Sequence, residues 1–116
     1  MRVYLPATPE QIKYLLAAPI EVSDYLTPAQ FNFDANIDIE EQEHLISLLA
    51  AEDSLELNQG KFGLVIAADF DDQQLGAERA KLDFKDIAAV LHSTDGEELS
   101  WFAPDEIQYQ IGTWLT

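Results

Sequence analysis

Three groupings in this 116-residue chain bring together residue types and spacings that could do chemistry. The first is Asp69-Phe70-Asp71-Asp72, directly after the apolar run Leu64-Val65-Ile66-Ala67-Ala68. Open sheets present ligands at the carboxyl ends of their strands. Carboxylates two residues apart at such an end can share a hard cation such as Mg2+. This grouping predicts a metal-dependent hydrolase with Asp69, Asp71 and Asp72 as metal ligands. An EF-hand is excluded, because Gln74 stands where its glycine belongs and Ala80 where its final Glu belongs. The plainer reading is an exposed acidic turn that solubilises a strand end.

The second grouping is Glu41-x-x-His44. On a helix this spacing puts both side chains on one face, as in di-iron carboxylate bundles. Those proteins need a second copy and two further carboxylates, so a surface histidine beside Glu40 and Glu41 is the plainer reading. The third is His92, which no Ser, Asp or Glu joins by sequence to make a triad. A packed histidine is expected there. No cysteine exists, so thiolate catalysis, disulfides and Cys-type metal sites are excluded. The five glycines form neither G-x-G-x-x-G nor a P-loop, and G-x-S-x-G is absent.

The elements that must position these residues follow from periodicity and caps. Arg2 to Leu5 reads as a short strand stopped by Pro6. Thr8-Pro9-Glu10-Gln11 carries a capping box and a first-turn proline, and Pro19 ends that helix. Residues 20–26 read as a weak strand, with the path up to residue 37 left irregular. Asp38 caps the clearest helix, whose first turn is acidic. Ile39, Leu45, Ile46, Leu49 and Ala50 share one side; Leu48, Ala51 and Leu55 form a second stripe, headed by His44. Asp53 and Glu56 intrude on the first stripe, which predicts a bend or fraying beyond Glu52. Asn58-Gln59-Gly60 ends the helix.

Residues 62–70 alternate a bulky face with a small one that ends at Asp69, the pattern of a central strand under a closely packed helix. Residues 71–76 read as a polar loop, and residues 78–84 as an edge strand or a connection. Residues 87–93 form a second apolar strand, followed by Asp95-Gly96, a two-residue hairpin signal. That loop would pair Val90 with Trp101, Leu91 with Ser100 and His92 with Leu99, placing Trp101 in the core. Trp114, in a last helix opened by Pro104-Asp105-Glu106, is expected to pin that helix to the core.

Six Lys and Arg against 22 Asp and Glu give a net charge of −16. This excludes nucleic acid and anionic membrane surfaces as partners. A hydrophobic content of 47% argues for a folded chain. The start lacks the apolar core of a signal peptide, and no apolar run approaches membrane-helix length.

Four segments, Arg2-Val3-Tyr4-Leu5-Pro6, Val65-Ile66-Ala67-Ala68-Asp69, Ile87-Ala88-Ala89-Val90-Leu91-His92 and Glu98-Leu99-Ser100-Trp101-Phe102, resemble in this order a small family of uncharacterised actinobacterial proteins. That family has no assigned activity, so the resemblance implies a stand-alone, soluble bacterial protein and carries no functional residue across. The apolar strand closed by Asp69, with Asp71 two residues on, resembles a phosphatase motif. The phosphoester direction of the hydrolase reading rests on that likeness, although such enzymes are much longer and present a lysine from a later strand.

The sequence predicts a single α+β domain over residues 1–116. Its two layers are a mostly antiparallel sheet packed against the long central helix and the N- and C-terminal helices. The function expected is that of a non-catalytic acidic accessory or interaction protein of the bacterial cytoplasm. It would have a protein partner, in one form a basic one, and form a homodimer through Leu48, Ala51 and Leu55. The alternatives are the Mg2+-dependent phosphohydrolase using Asp69, Asp71 and Asp72, and an inhibitor or immunity-type protein for a basic enzyme, with mimicry of a nucleic-acid backbone as an extreme case.

Overall fold

The computed structural model describes residues 1–94 and 98–115. In chain order the elements are β1 (Arg2–Pro6), α1 (Pro9–Leu15), β2 (Ile20–Val22), α2 (Ile39–Leu57), β3 (Gly63–Asp69), α3 (Asp72–Gly76), β4 (Ala80–Leu82), β5 (Ile87–Ser93), β6 (Ser100–Phe102) and α4 (Ile107–Leu115). The α+β class, the antiparallel sheet and the long central helix are as expected. β1, β3, β5 and β6 form one antiparallel sheet in the order β1-β3-β5-β6, and β2 and β4 pair separately.

Strand alternation on β3 builds two cores. Leu64, Ile66 and Ala68 join Val3, Leu5 and Val90 on one face, covered by Ile12 and Leu15 of α1 and by Ile107 and Trp114 of α4. Val65 and Ala67 join Tyr4, Ala89 and Leu91 on the other face, covered by Ile46, Ala50 and Ala51 of α2. The two layers expected are in fact three: α2 takes one face of the sheet, α1 and α4 take the other, and the sheet lies between them, because β3 is apolar on both faces. A bulge helps. Ala67 pairs with Ala89 but Ala68 pairs with Ile87, so Ala88 is the extra residue. Ile87 and Val90 can then both reach the same core despite their odd spacing.

The helix starts obey the capping rules. Thr8 Oγ1 accepts from the Gln11 N–H at 3.3 Å while Gln11 Oε1 accepts from the Thr8 N–H at 2.9 Å. Asp38 Oδ1 accepts from the Glu41 N–H at 2.8 Å. The helix does not fray beyond Glu52: α2 runs on to Leu57. It closes through Gln59 and Gly60 at positive φ (59° and 74°), with the Gly60 N–H on the Leu55 carbonyl at 2.7 Å.

The buried face of α2 lies between the two expected stripes, taking Ile46 and Ala50 from the first and Ala51 from the second. It consists of Ile46, Ser47, Ala50, Ala51 and Ser54, while Ile39, Leu45 and Leu49 stand exposed and Leu48 and Leu55 are half-buried. Small residues win this face because the helix lies almost against the backbone of β3. A Cβ on Gly63 would meet the Ala51 carbonyl oxygen at 3.0 Å.

The β5–β6 register differs from expectation by one residue: Val90 pairs with Phe102, Leu91 with Trp101 and His92 with Ser100. An odd-numbered connection gives these pairs and a two-residue loop does not; Asp95-Gly96 itself lies outside the described residues. One residue of slip reverses every side chain. Trp101 therefore moves to the Leu91 face of the sheet, where on the edge strand β6 it is 60% exposed. The weak strand expected over residues 20–26 shortens to β2. Leu26 then returns to bridge Tyr4, with N–H to carbonyl bonds of 2.9 Å in both directions. Among the described residues, no helix is long and apolar enough to cross a membrane.

Candidate functional site

The three aspartates at the end of β3 serve three separate purposes. Asp69 pairs across the sheet with Arg2, whose Nε donates to Oδ1 at 2.7 Å and whose Nη2 reaches Oδ2 at 3.4 Å. That bond raises the Arg2 pKa further above its ordinary value. Phe70, buried and edge-on to Tyr25 with centroids 5.4 Å apart, holds the next position against the core. Asp71 then caps α3, where the sequence suggested a polar loop: its Oδ1 accepts from the Gln74 N–H at 2.8 Å, and Gln74 Oε1 accepts from the Asp71 N–H at 2.8 Å. Asp72 lies exposed in the first turn of α3. Glu41 and His44 are exposed on α2. Among the described residues, no three His, Asp or Glu side chains gather where they could hold a metal ion.

His92 is packed, as expected, but opposite Ser100 and among aromatic rings. Its ring lies 5.4 Å from Phe62 at 28° and 6.0 Å from Trp114 at 10° between planes. Phe102 closes edge-on to Trp114 at 5.3 Å. Burial pushes the His92 imidazole below its ordinary pKa. Trp114 is buried and fastens α4, as the sequence led one to expect.

A groove of about 480 Å³ opens beside β1, within the usual range for a binding cleft. Its aliphatic lining comes from buried Leu5 and Ile66, half-buried Ile20 and Val22, and exposed Leu57. Glu21, Asp24 and Asp53 stand on its rim, each from a different part of the chain and each exposed. Arg79 reaches Glu21 at 3.7 Å. Among the described residues, Asp24 and Asp53 have no cation at ion-pair distance. The sequence held one clue to this site: Asp53 breaks an apolar stripe of α2. Nothing local linked it to Glu21 and Asp24, thirty residues earlier.

A family model described as "Family of unknown function (DUF6912)" matches residues 1–90. The chain belongs to DUF6912. The match covers β1 to β4 and most of β5, and so includes every residue lining the groove. Phe62 lies within the span matched by DUF6912, while its aromatic neighbours His92, Phe102 and Trp114 lie beyond it. No curated protein and no solved structure matches the chain.

Proposed function

We propose that this DUF6912 protein is a non-catalytic, acidic interaction protein of the bacterial cytoplasm that docks a basic protein partner. One observation carries the reading: the three strand-end carboxylates are spent on single tasks or left in water instead of being gathered around a reacting centre. Asp69 holds Arg2, Asp71 caps a helix, and Asp72 is solvated. Two ion pairs, Arg2–Asp69 and Arg79–Glu21, are formed among the described residues, against a formal charge of −16. Such an excess steers cationic partners and makes their association salt-sensitive.

The test captures partners from the native cytoplasm at low salt, elutes with salt, and then measures the purified eluate against the purified chain. A basic protein whose association rate falls steeply between 20 and 300 mM NaCl is the expected result. Hydrolysis of p-nitrophenyl phosphate with Mg2+ or Mn2+, abolished by Asp69→Asn, would overturn the reading in favour of the hydrolase.

A further inference from the structure

We propose that the groove beside β1 is the docking site, and that its occupant is an extended cationic-amphipathic segment of a partner protein, with Arg or Lys next to an apolar side chain. This rests on the reading of the chain as an acidic interaction protein and names the surface involved. The aliphatic part of the lining is Leu5, Ile20, Val22, Leu57 and Ile66, beside the polar Gln11 and Ser23; Leu57 is 53% exposed, so an apolar group laid against it buries surface on both sides. Around that lining stand Glu21, Asp24 and Asp53. An aliphatic lining within an anionic rim is complementary to a side chain with a hydrocarbon stem and a cationic tip, which is the chemistry of Arg and Lys. Arg79 already sits beside Glu21 at 3.7 Å, with both side chains mostly in water. That pair is of the weak exposed kind and yields readily to an incoming cation.

The experiment uses the full chain and a fluorescein-labelled hexapeptide, Val-Arg-Leu-Lys-Val-Arg, read by anisotropy at 20 and 300 mM NaCl. The double variant Asp24→Asn/Asp53→Asn is compared with Asp72→Asn/Glu52→Gln, which removes the same charge elsewhere; Glu52 neighbours Asp53 but lies about 100° further round the helix. The groove variant is expected to weaken binding about three- to tenfold and the control less than about twofold. Leu57→Ala, or serine in place of the peptide's leucine, is expected to weaken it about threefold or more. All five positions are exposed, and matching unfolding midpoints show that the variants remain folded. Equal losses in the groove and control variants would overturn the groove while leaving general acidic attraction standing. Absence of binding to the unaltered chain at 20 mM NaCl would overturn both. Agmatine binding as tightly as the peptide would replace the protein segment with a free amine and overturn the occupant named here.

Discussion

Ser47 and Ser54 form a matched pair at the seam between α2 and the sheet. Both are buried on one helix face, two turns apart, and each hydroxyl donates to the carbonyl three residues back: His44 at 2.6 Å, Ala51 at 2.7 Å. Ser54 Oγ does more, since it accepts from the fully buried Leu64 N–H at 2.8 Å. Ser54→Ala therefore strands a backbone donor, at a cost of about 1–3 kcal/mol. The better helix propensity of Ala returns about 0.5 kcal/mol. The net loss is about 1–2 kcal/mol. With a urea m-value of about 2 kcal/mol/M the midpoint falls by about 0.5–1 M. Ser47→Ala, which loses an intrahelical bond alone, should stay within about 0.5 kcal/mol of the parent. Urea unfolding followed by circular dichroism reads both, and hydrogen exchange at the Leu64 amide reads the stranded donor directly. Equal midpoints for the two variants would refute the reasoning, because the Leu64 bond would then contribute nothing.

The same seam resists filling: Gly63→Ala should destabilise by about 1–3 kcal/mol in the same assay, as overpacking does. Gly112→Ala should do the opposite, raising stability by about 0.5–1 kcal/mol, because a Cβ there meets nothing within 4 Å on the exposed side of α4. His92 should make folding pH-sensitive. Its folded pKa lies below the ordinary 6.5, so the stability it contributes is whole above 6.5 and is lost as pH falls through the folded value; unfolding free energies between pH 7.5 and 5 should decline more in the parent than in His92→Phe. Raising NaCl from 10 to 500 mM should stabilise the fold by screening self-repulsion while weakening a basic partner, and a midpoint that falls with salt would contradict the first half.

What the sequence made legible was whatever local rules decide. Thr8 and Asp38 cap as their spacing requires, and β3 shows its bulky and small faces because both cores depend on that alternation. Two readings failed for one reason: a local signal was outranked by packing. Asp95-Gly96 suggested a two-residue loop, yet β6 pairs one residue further along and Trp101 leaves the core. The two apolar stripes of α2 suggested its buried faces, yet the face it buries lies between them, where close approach to Gly63 selects Ala51 and Ser54. At the candidate site, Asp69, Asp71 and Asp72 were recognisable as a charged strand end. Their tasks were not, because Arg2 lies 67 residues from Asp69 and the cap exists only once α3 forms.

The same close packing makes the groove. With small residues against β3, α2 leaves Asp53 and Leu57 beside the end of β1, where they share a cavity with Leu5 and Pro6. That end of β1 cannot recruit another strand. Tyr4 has both of its outward backbone groups on Leu26, and Pro6 has no N–H to offer. A segment bound against that end of β1 is recognised there through side chains and not through a ladder on β1. Affinity in the groove should then follow which residues the bound segment presents and how much salt surrounds it, with little dependence on its β-propensity; a proline-substituted peptide that keeps its arginine and leucine should bind nearly as well.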